Sequence, residues 1–272
     1  MILLMSNFLK DRKSIRDYKK KKLDNKSMEE VKTLFEKIQG EANNKYFDFI
    51  LFEDGEKIYN DLKGIGGYAG VMIESPHYIG IRLKEVNEEA IVFASYYTEK
   101  LMGNLSKLNL GSCWLGIKNV DKDIRGKALG EENKNVAYLV AFGYPKAKNP
   151  FISEGSSSRF GLEDIVFKEE LGETINIIEL ENRGLDDLFY YVRFAPSSLN
   201  RQPWRFILEK DKVVLLLAYE NGEVNLMDAG IIMYYFEELS KTIGINNKWE
   251  LIKAKDIEYE NKKYKFIGEY KL

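Results

Sequence analysis

The sequence predicts an α+β protein built as two related halves, with short strands flanked by helices. Three observations carry this. Helical and strand patterns are interspersed along the whole chain. Two stretches, 88–109 and 227–243, are helical and apolar on most of their circumference, which marks buried helices. The order helix, strand, strand, long helix over 26–109 returns over 184–243.

At 272 residues, 44% hydrophobic and 31% charged, the chain has ample material for a core. A net charge of −2 gives no global field favouring nucleic acid or an anionic membrane. The single cysteine, Cys113, excludes an internal disulfide framework and fits a reducing compartment. The apolar start, Met1 to Met5, is too short for a secretory core. No apolar run approaches the roughly 18 residues that span a bilayer. The expectation is a cytoplasmic protein.

In chain order, the pattern predicts a short helix over 7–18 and a second over 26–39. The second carries Met28, Val31, Leu34, Phe35 and Ile38 on one stripe, with Asn25 or Ser27 as its cap. Strands follow at 46–52 and 78–82, then the long helix 88–109 and a strong strand at 135–144 closed by Pro145. Residues 146–160 are loop-like, with Pro150, Gly155 and three serines, and place the division at 150/151: a first half 1–150 and a second 151–272. The second half predicts a helix at 184–195, strands at 204–209 and 213–219, the long helix 227–243, and terminal strands at 249–252 and 264–267. Between the halves, Phe35 matches Phe189 and Phe49-Ile50-Leu51 matches Phe206-Ile207-Leu208, while Leu105-Ser106-Lys107 echoes Leu239-Ser240-Lys241. Asn43 stands where the second half has Asn200.

Two polar segments lie far apart. Arg12-Lys13-Ser14-Ile15-Arg16 gathers cations around a hydroxyl, a grouping suited to a phosphate dianion. Taken alone it equally suits a solvated surface, as does the run Lys19 to Lys22. Ala195-Pro196-Ser197-Ser198-Leu199-Asn200-Arg201-Gln202-Pro203-Trp204 joins a helix to a strand with hydroxyl and amide groups that can meet a polar ligand edge. A capped helix end before a strand would use similar residues. Gly111-Ser112-Cys113-Trp114-Leu115-Gly116 follows the first long helix, and its glycines allow close backbone approach.

Together these segments resemble the flavin-binding motifs of the nitroreductase family, most clearly over 8–18, 88–117, 135–164 and 184–245. The resemblance implies a three-layer sandwich and a chain folded as its own dimer, because ordinary family members place FMN between two subunits. It implies FMN as cofactor and NADH or NADPH as co-substrate, with electrons passed to a nitroaromatic, quinone or flavin by a ping-pong mechanism. By the same resemblance Arg12 and Ser14 serve the phosphate, with the cofactor-binding Lys13 between them, and Arg16 serves the N1/O2 edge. Tyr68 approaches the pyrimidine, and Cys113, Trp114, Leu115 and Gly116 form the strand beside the ring. Arg159 is the second phosphate cation, with Ser157 in place of the first. Pro196, Ser197, Ser198 and Asn200 lie along ring and ribityl tail, with Gln202 fixing the turn. One intact site per chain is implied, the matching second site having decayed: Glu41, Ala42 and Lys45 replace the serines and Gln202. No protein nucleophile or general acid is required, a small-molecule acceptor is the partner, and a monomer with possible further dimerisation is the implied state. A non-catalytic flavin-binding or storage protein, or a relative with other flavin chemistry, are the alternatives.

Three features are read as bland. Gly64-Ile65-Gly66-Gly67-Tyr68-Ala69 fits a dinucleotide fingerprint but lacks the preceding strand. His77, the one histidine, is structural. Cys113 after a buried helix is packing, and one His with one Cys makes no zinc site.

Overall fold

The computed structural model describes residues 2–147, 158–220 and 222–272. Its first elements are α1 (Ile2–Asp11), α2 (Asn25–Glu41), β1 (Phe47–Phe52), α3 (Gly55–Leu62), β2 (His77–Leu83), α4 (Glu88–Lys107), β3 (Gly111–Gly116), α5 (Lys122–Leu129) and β4 (Tyr138–Gly143). There follow α6 (Leu162–Ile165), β5 (Val166–Lys168), α7 (Ile177–Asn182), α8 (Asp186–Val192), β6 (Trp204–Leu208), β7 (Lys212–Tyr219), α9 (Leu226–Lys241), β8 (Trp249–Leu251), β9 (Ile257–Tyr259) and β10 (Lys262–Lys271). Two compact units result. One comprises Asp11–Ala90 with Lys100–Glu154, the other Met1–Lys10, Ile91–Glu99 and Gly155–Leu272. Relative to the division at 150/151, the segments 1–10 and 91–99 therefore pack with the later residues.

In the first unit the sheet order is β1-β2-β4-β3, every pair antiparallel. Tyr78, Leu115, Leu139 and Ala141 bury one face against Ile58 and Leu62 of α3 and Leu129 of α5. The stripe Met28, Val31, Phe35 and Ile38 of α2 is buried, each such side chain contributing roughly 1.5–3 kcal/mol. Phe35 meets Phe49 of β1 at 5.4 Å between ring centres. The cap of α2 is Asp24 in place of Asn25 or Ser27, one residue before the first and three before the second; its carboxylate accepts from Ser27 N at 2.8 Å.

In the second unit the order is β5-β6-β7-β10-β8, with β9 paired to β10. The β5–β6 pair is parallel, the rest antiparallel. Helix α9 is buried almost all round, as its composition requires. It crosses residues 91–99 at Gly230, where a Cβ would come within 2.0 Å of Val92 O and 2.1 Å of Ser95 Oγ. Further along, Tyr96 donates to the buried Glu237 at 2.6 Å and Lys248 approaches the same carboxylate oxygen at 2.7 Å. Phe189 of α8 meets Phe206 of β6 at 5.5 Å. A matching helix-to-strand aromatic pair thus occurs in each unit.

The helix over 7–18 is corrected. It ends at Asp11, and the chain then runs extended because its backbone N–H groups find strand partners: Ile15 N donates to Ser112 O at 2.9 Å and Lys19 N to Tyr144 O at 2.8 Å. His77 opens β2, fully buried; Nε2 accepts from Leu23 N at 3.0 Å and Nδ1 faces Glu53 O at 3.1 Å. Burial lowers its pKa, so the ring is a neutral structural link. Among the described residues no helix is long and apolar enough to cross a membrane.

Candidate functional site

Within the first unit, three of the sequence-marked segments converge. Ser14 bridges Ser112 in parallel, so the basic stretch runs along the outer side of β3. The approach is close: a Cβ on Gly111 would lie 2.7 Å from Ile15 Cβ, so a larger residue there would push the segment away. Tyr18 locks the far end, its hydroxyl donating to Ala141 O at 3.0 Å, and burial raises its pKa. Lys13 and Arg16 are exposed and Ser14 is half-buried. Arg12 is buried at 4% exposure, with Nη2 3.5 Å from Met102 Sδ of α4, so its guanidinium is turned inward.

The loop carrying Tyr68 is fastened to the other end of β3. Gly67 N donates to Gly116 O at 3.0 Å, and Gly64 N to Gly70 O at 3.0 Å. Left-handed φ at Gly67 (78°) and Gly70 (82°) makes this closed loop possible. Tyr68 is 70% exposed. Along β3 the residues alternate. Cys113 and Leu115 are buried, Trp114 is half-buried against Tyr138, and Gly116 is exposed with open space where a side chain would stand. The Cys113 thiol is thus enclosed, at 4% exposure. Ser112 is a residue that the motif contained but the sequence did not single out. Its Oγ is buried and makes no hydrogen bond among the described residues.

In the second unit, the turn after α8 holds Pro196, Ser197, Ser198, Asn200 and Gln202 in an unusual conformation. Leu199, Asn200 and Gln202 have φ of 54°, 56° and 49°. Left-handed backbone of this kind costs of order 1 kcal/mol or more per non-glycine residue, so the surroundings must impose it. Gln202 N donates to Ser197 Oγ at 2.9 Å. The Gln202 amide accepts from Phe160 N at 3.0 Å and donates to Asn200 O at 3.1 Å and Ser158 O at 3.3 Å.

Arg159 is engaged within this turn. Its Nη1 donates to Asn200 Oδ1 at 2.6 Å and to Ala195 O at 3.2 Å, and Nη2 to Phe194 O at 3.3 Å. Both terminal nitrogens thus hold the turn, and burial lowers its pKa. The Asn200 amide is likewise engaged, its Nδ2 donating to Ser158 O at 3.0 Å. Ser198 and Leu199 are left exposed. Ser157 lies outside the described residues.

A further contributor has no signal in the motif. Asp228, in the first turn of α9, is buried at 2% exposure and accepts from Ser198 N at 2.9 Å and Asn225 Nδ2 at 3.0 Å. Burial pushes its carboxyl up to about 7, against the opposing pull of those two hydrogen bonds.

These residues fit a flavin nucleotide. Exposed cations and a half-buried hydroxyl line one strand, an unmatched buried hydroxyl stands among them, and an open glycine closes the strand. Among the described residues no cluster of three or more His, Cys, Asp or Glu suits a metal.

The structure resembles a "putative nitroreductase" from Thermotoga maritima with a TM-score of 0.58 and 17% identity, over 98% of this chain and 94% of that one. It also resembles an FMN-dependent nitroreductase from Clostridium difficile (TM-score 0.43, 25% identity, 52% of this chain and 88% of that chain). Similar figures hold for a "putative NADH oxidase" from Clostridium acetobutylicum (0.40, 26%, 55% and 94%). No curated protein matches the sequence. The Thermotoga likeness establishes the nitroreductase fold, and a family model described as "Putative TM nitroreductase" matches residues 5–240. The chain belongs to that nitroreductase family.

Proposed function

We propose that the chain is an FMN-dependent oxidoreductase that takes electrons from NADH or NADPH and delivers them to a nitroaromatic, quinone or flavin acceptor in ping-pong order. Family membership supports the oxidoreductase class. The observation that carries the flavin reading is the Ser14–Ser112 pairing, which sets a cationic segment beside a strand whose last residue is open. When bound, FMN supplies the hydride chemistry.

The protein's part is positioning. Lys13 and Ser14 meet the phosphate, and Arg16 places positive charge against the pyrimidine edge, where it favours the reduced anionic ring. Arg12, turned inward, steadies the segment from below. Gly116 and Tyr68 border the ring, and Ser112 Oγ offers a polar contact. In the second unit, Pro196, Ser197 and Ser198 carry groups suited to a flavin's polar edge, while Asn200, Gln202 and Arg159 hold that turn in shape. The halves 1–150 and 151–272 are read as products of a duplication, supported by the Phe35–Phe49 and Phe189–Phe206 pairs.

The test is the visible spectrum of the purified protein, with flavin identified and counted after release, followed by NAD(P)H consumption with a generic acceptor. One FMN per chain is expected, falling at least tenfold in affinity in Arg16→Gln, the loss of a charge-assisted contact of about 1.5–3 kcal/mol. A protein that cannot be loaded with FMN overturns the reading. One that loads but shows no turnover is a flavin binder.

A further inference from the structure

Resting on that reading, we infer that Asp228 is a positioning residue for the cofactor: through its hydrogen bond to Ser198 N it holds the Pro196–Gln202 turn in the one conformation that presents Ser197 and Ser198. The turn is not a conformation the sequence adopts by itself. Leu199, Asn200 and Gln202 are all left-handed, and leucine and glutamine gain nothing locally from that region. Three devices restrain it. Arg159 grips Phe194 O, Ala195 O and Asn200 Oδ1 on its outer side, and Gln202 and Ser197 tie its end to its beginning. Asp228 reaches the backbone of the middle, at Ser198 N, directly before the strained pair, and it does so from another element thirty positions along the chain.

The carboxylate is well placed for this. Its Oδ1 takes the Ser198 amide and Oδ2 the Asn225 amide, so both oxygens are oriented and the side chain cannot swing. Asp228 N in turn donates to Asn225 O at 3.0 Å, fixing the helix start that carries it. Two residues later, Gly230 packs backbone to backbone against residues 91–99, so the helix cannot slide to relax the turn. Arg201 is the charged group that acts on the carboxylate from the turn itself. Without the Asp228 acceptor, Ser198 N–H would lose the hydrogen bond that pins it, and the turn would relax toward ordinary dihedrals.

The experiment compares Asp228→Ala and Asp228→Asn with the native chain in two ways. FMN affinity is read by quenching of flavin fluorescence, and amide hydrogen exchange is read for peptides covering 195–202, with β6 and α9 as internal controls. In Asp228→Ala, FMN affinity falls at least tenfold and exchange at 195–202 accelerates while β6 and α9 stay protected. Asp228→Asn, which keeps one acceptor for Ser198 N–H, restores both to within about threefold. Unchanged exchange at 195–202 in Asp228→Ala overturns the inference, as does loss that Asn fails to rescue. If the native protein binds no FMN, the functional reading fails by itself, and the exchange comparison still decides the role of Asp228.

Discussion

The two helix-to-strand connections, α2 to β1 and α8 to β6, solve the same geometric problem with different residues. Each ends its helix beside an aromatic pair, Phe35 with Phe49 and Phe189 with Phe206. Each uses left-handed backbone. In the first connection that backbone falls on Asn43 and Asn44, φ 52° and 50°, side chains that tolerate the region. In the second it falls on Leu199, Asn200 and Gln202, with three more residues between the phenylalanines. The first turn is close to what its sequence would choose. The second is held against its preferences by Arg159, Gln202 and the buried Asp228. Strain maintained by several independent restraints is a mark of a functional segment, and here it coincides with the motif that resembles a flavin contact.

The sharpest way to test the contrast is through the charge of Asp228. Its folded pKa is raised from 3.8 to about 7. The folded protein therefore binds one more proton than the unfolded chain between about pH 4 and pH 7, and stability falls as pH rises through that window. The limit of the effect is on the order of 4 kcal/mol. Asp228→Asn removes this slope, so the variant gains stability over the native chain at pH 8 and loses that advantage near pH 4, as read by denaturant midpoints. An equal difference at both values would break the argument.

Next is Gly230→Ala. With a Cβ 2.0 Å from Val92 O, α9 must shift, at a cost of about 3 kcal/mol; a melting temperature within a degree of native would show that the crossing does not hold α9. Smaller is Leu199→Gly, which relieves left-handed strain and raises unfolding free energy by about 1 kcal/mol. The smallest is Asn43→Gly, within a few tenths of a kcal/mol. If those last two changes proved equal, the two turns would be equally relaxed and the comparison would fall.

Much of the architecture was legible in the sequence. The apolar stripe of α2 and the all-round apolarity of α4 and α9 are long periodic signals, and they predict burial directly. Helices α3, α5 and α7 leave no clear signal in the sequence, because six to eight residues give too little periodicity. The basic stretch reads as helix in the sequence, since what makes it extended is a partner strand about a hundred residues away, at Ser112. The serines of the turn were legible as a motif. Asp228 was not, because its meaning lies in a distance to Ser198 N and in burial, neither of which a single chain of letters displays. For the same reason Arg159 could be matched as a cation but not recognised as the clamp of the turn.

The pairing of residues 14–19 with β3 and the segment after β4 has a consequence for solubility. In the first unit's sheet β3 is an outer strand, and bare outer strands recruit other chains. The basic segment covers part of that edge and brings charges that repel a second sheet. The stretch proposed to hold a phosphate is thus also the guard of a sheet margin, and a chain trimmed past Ser14 would self-associate along β3 whatever its state of loading.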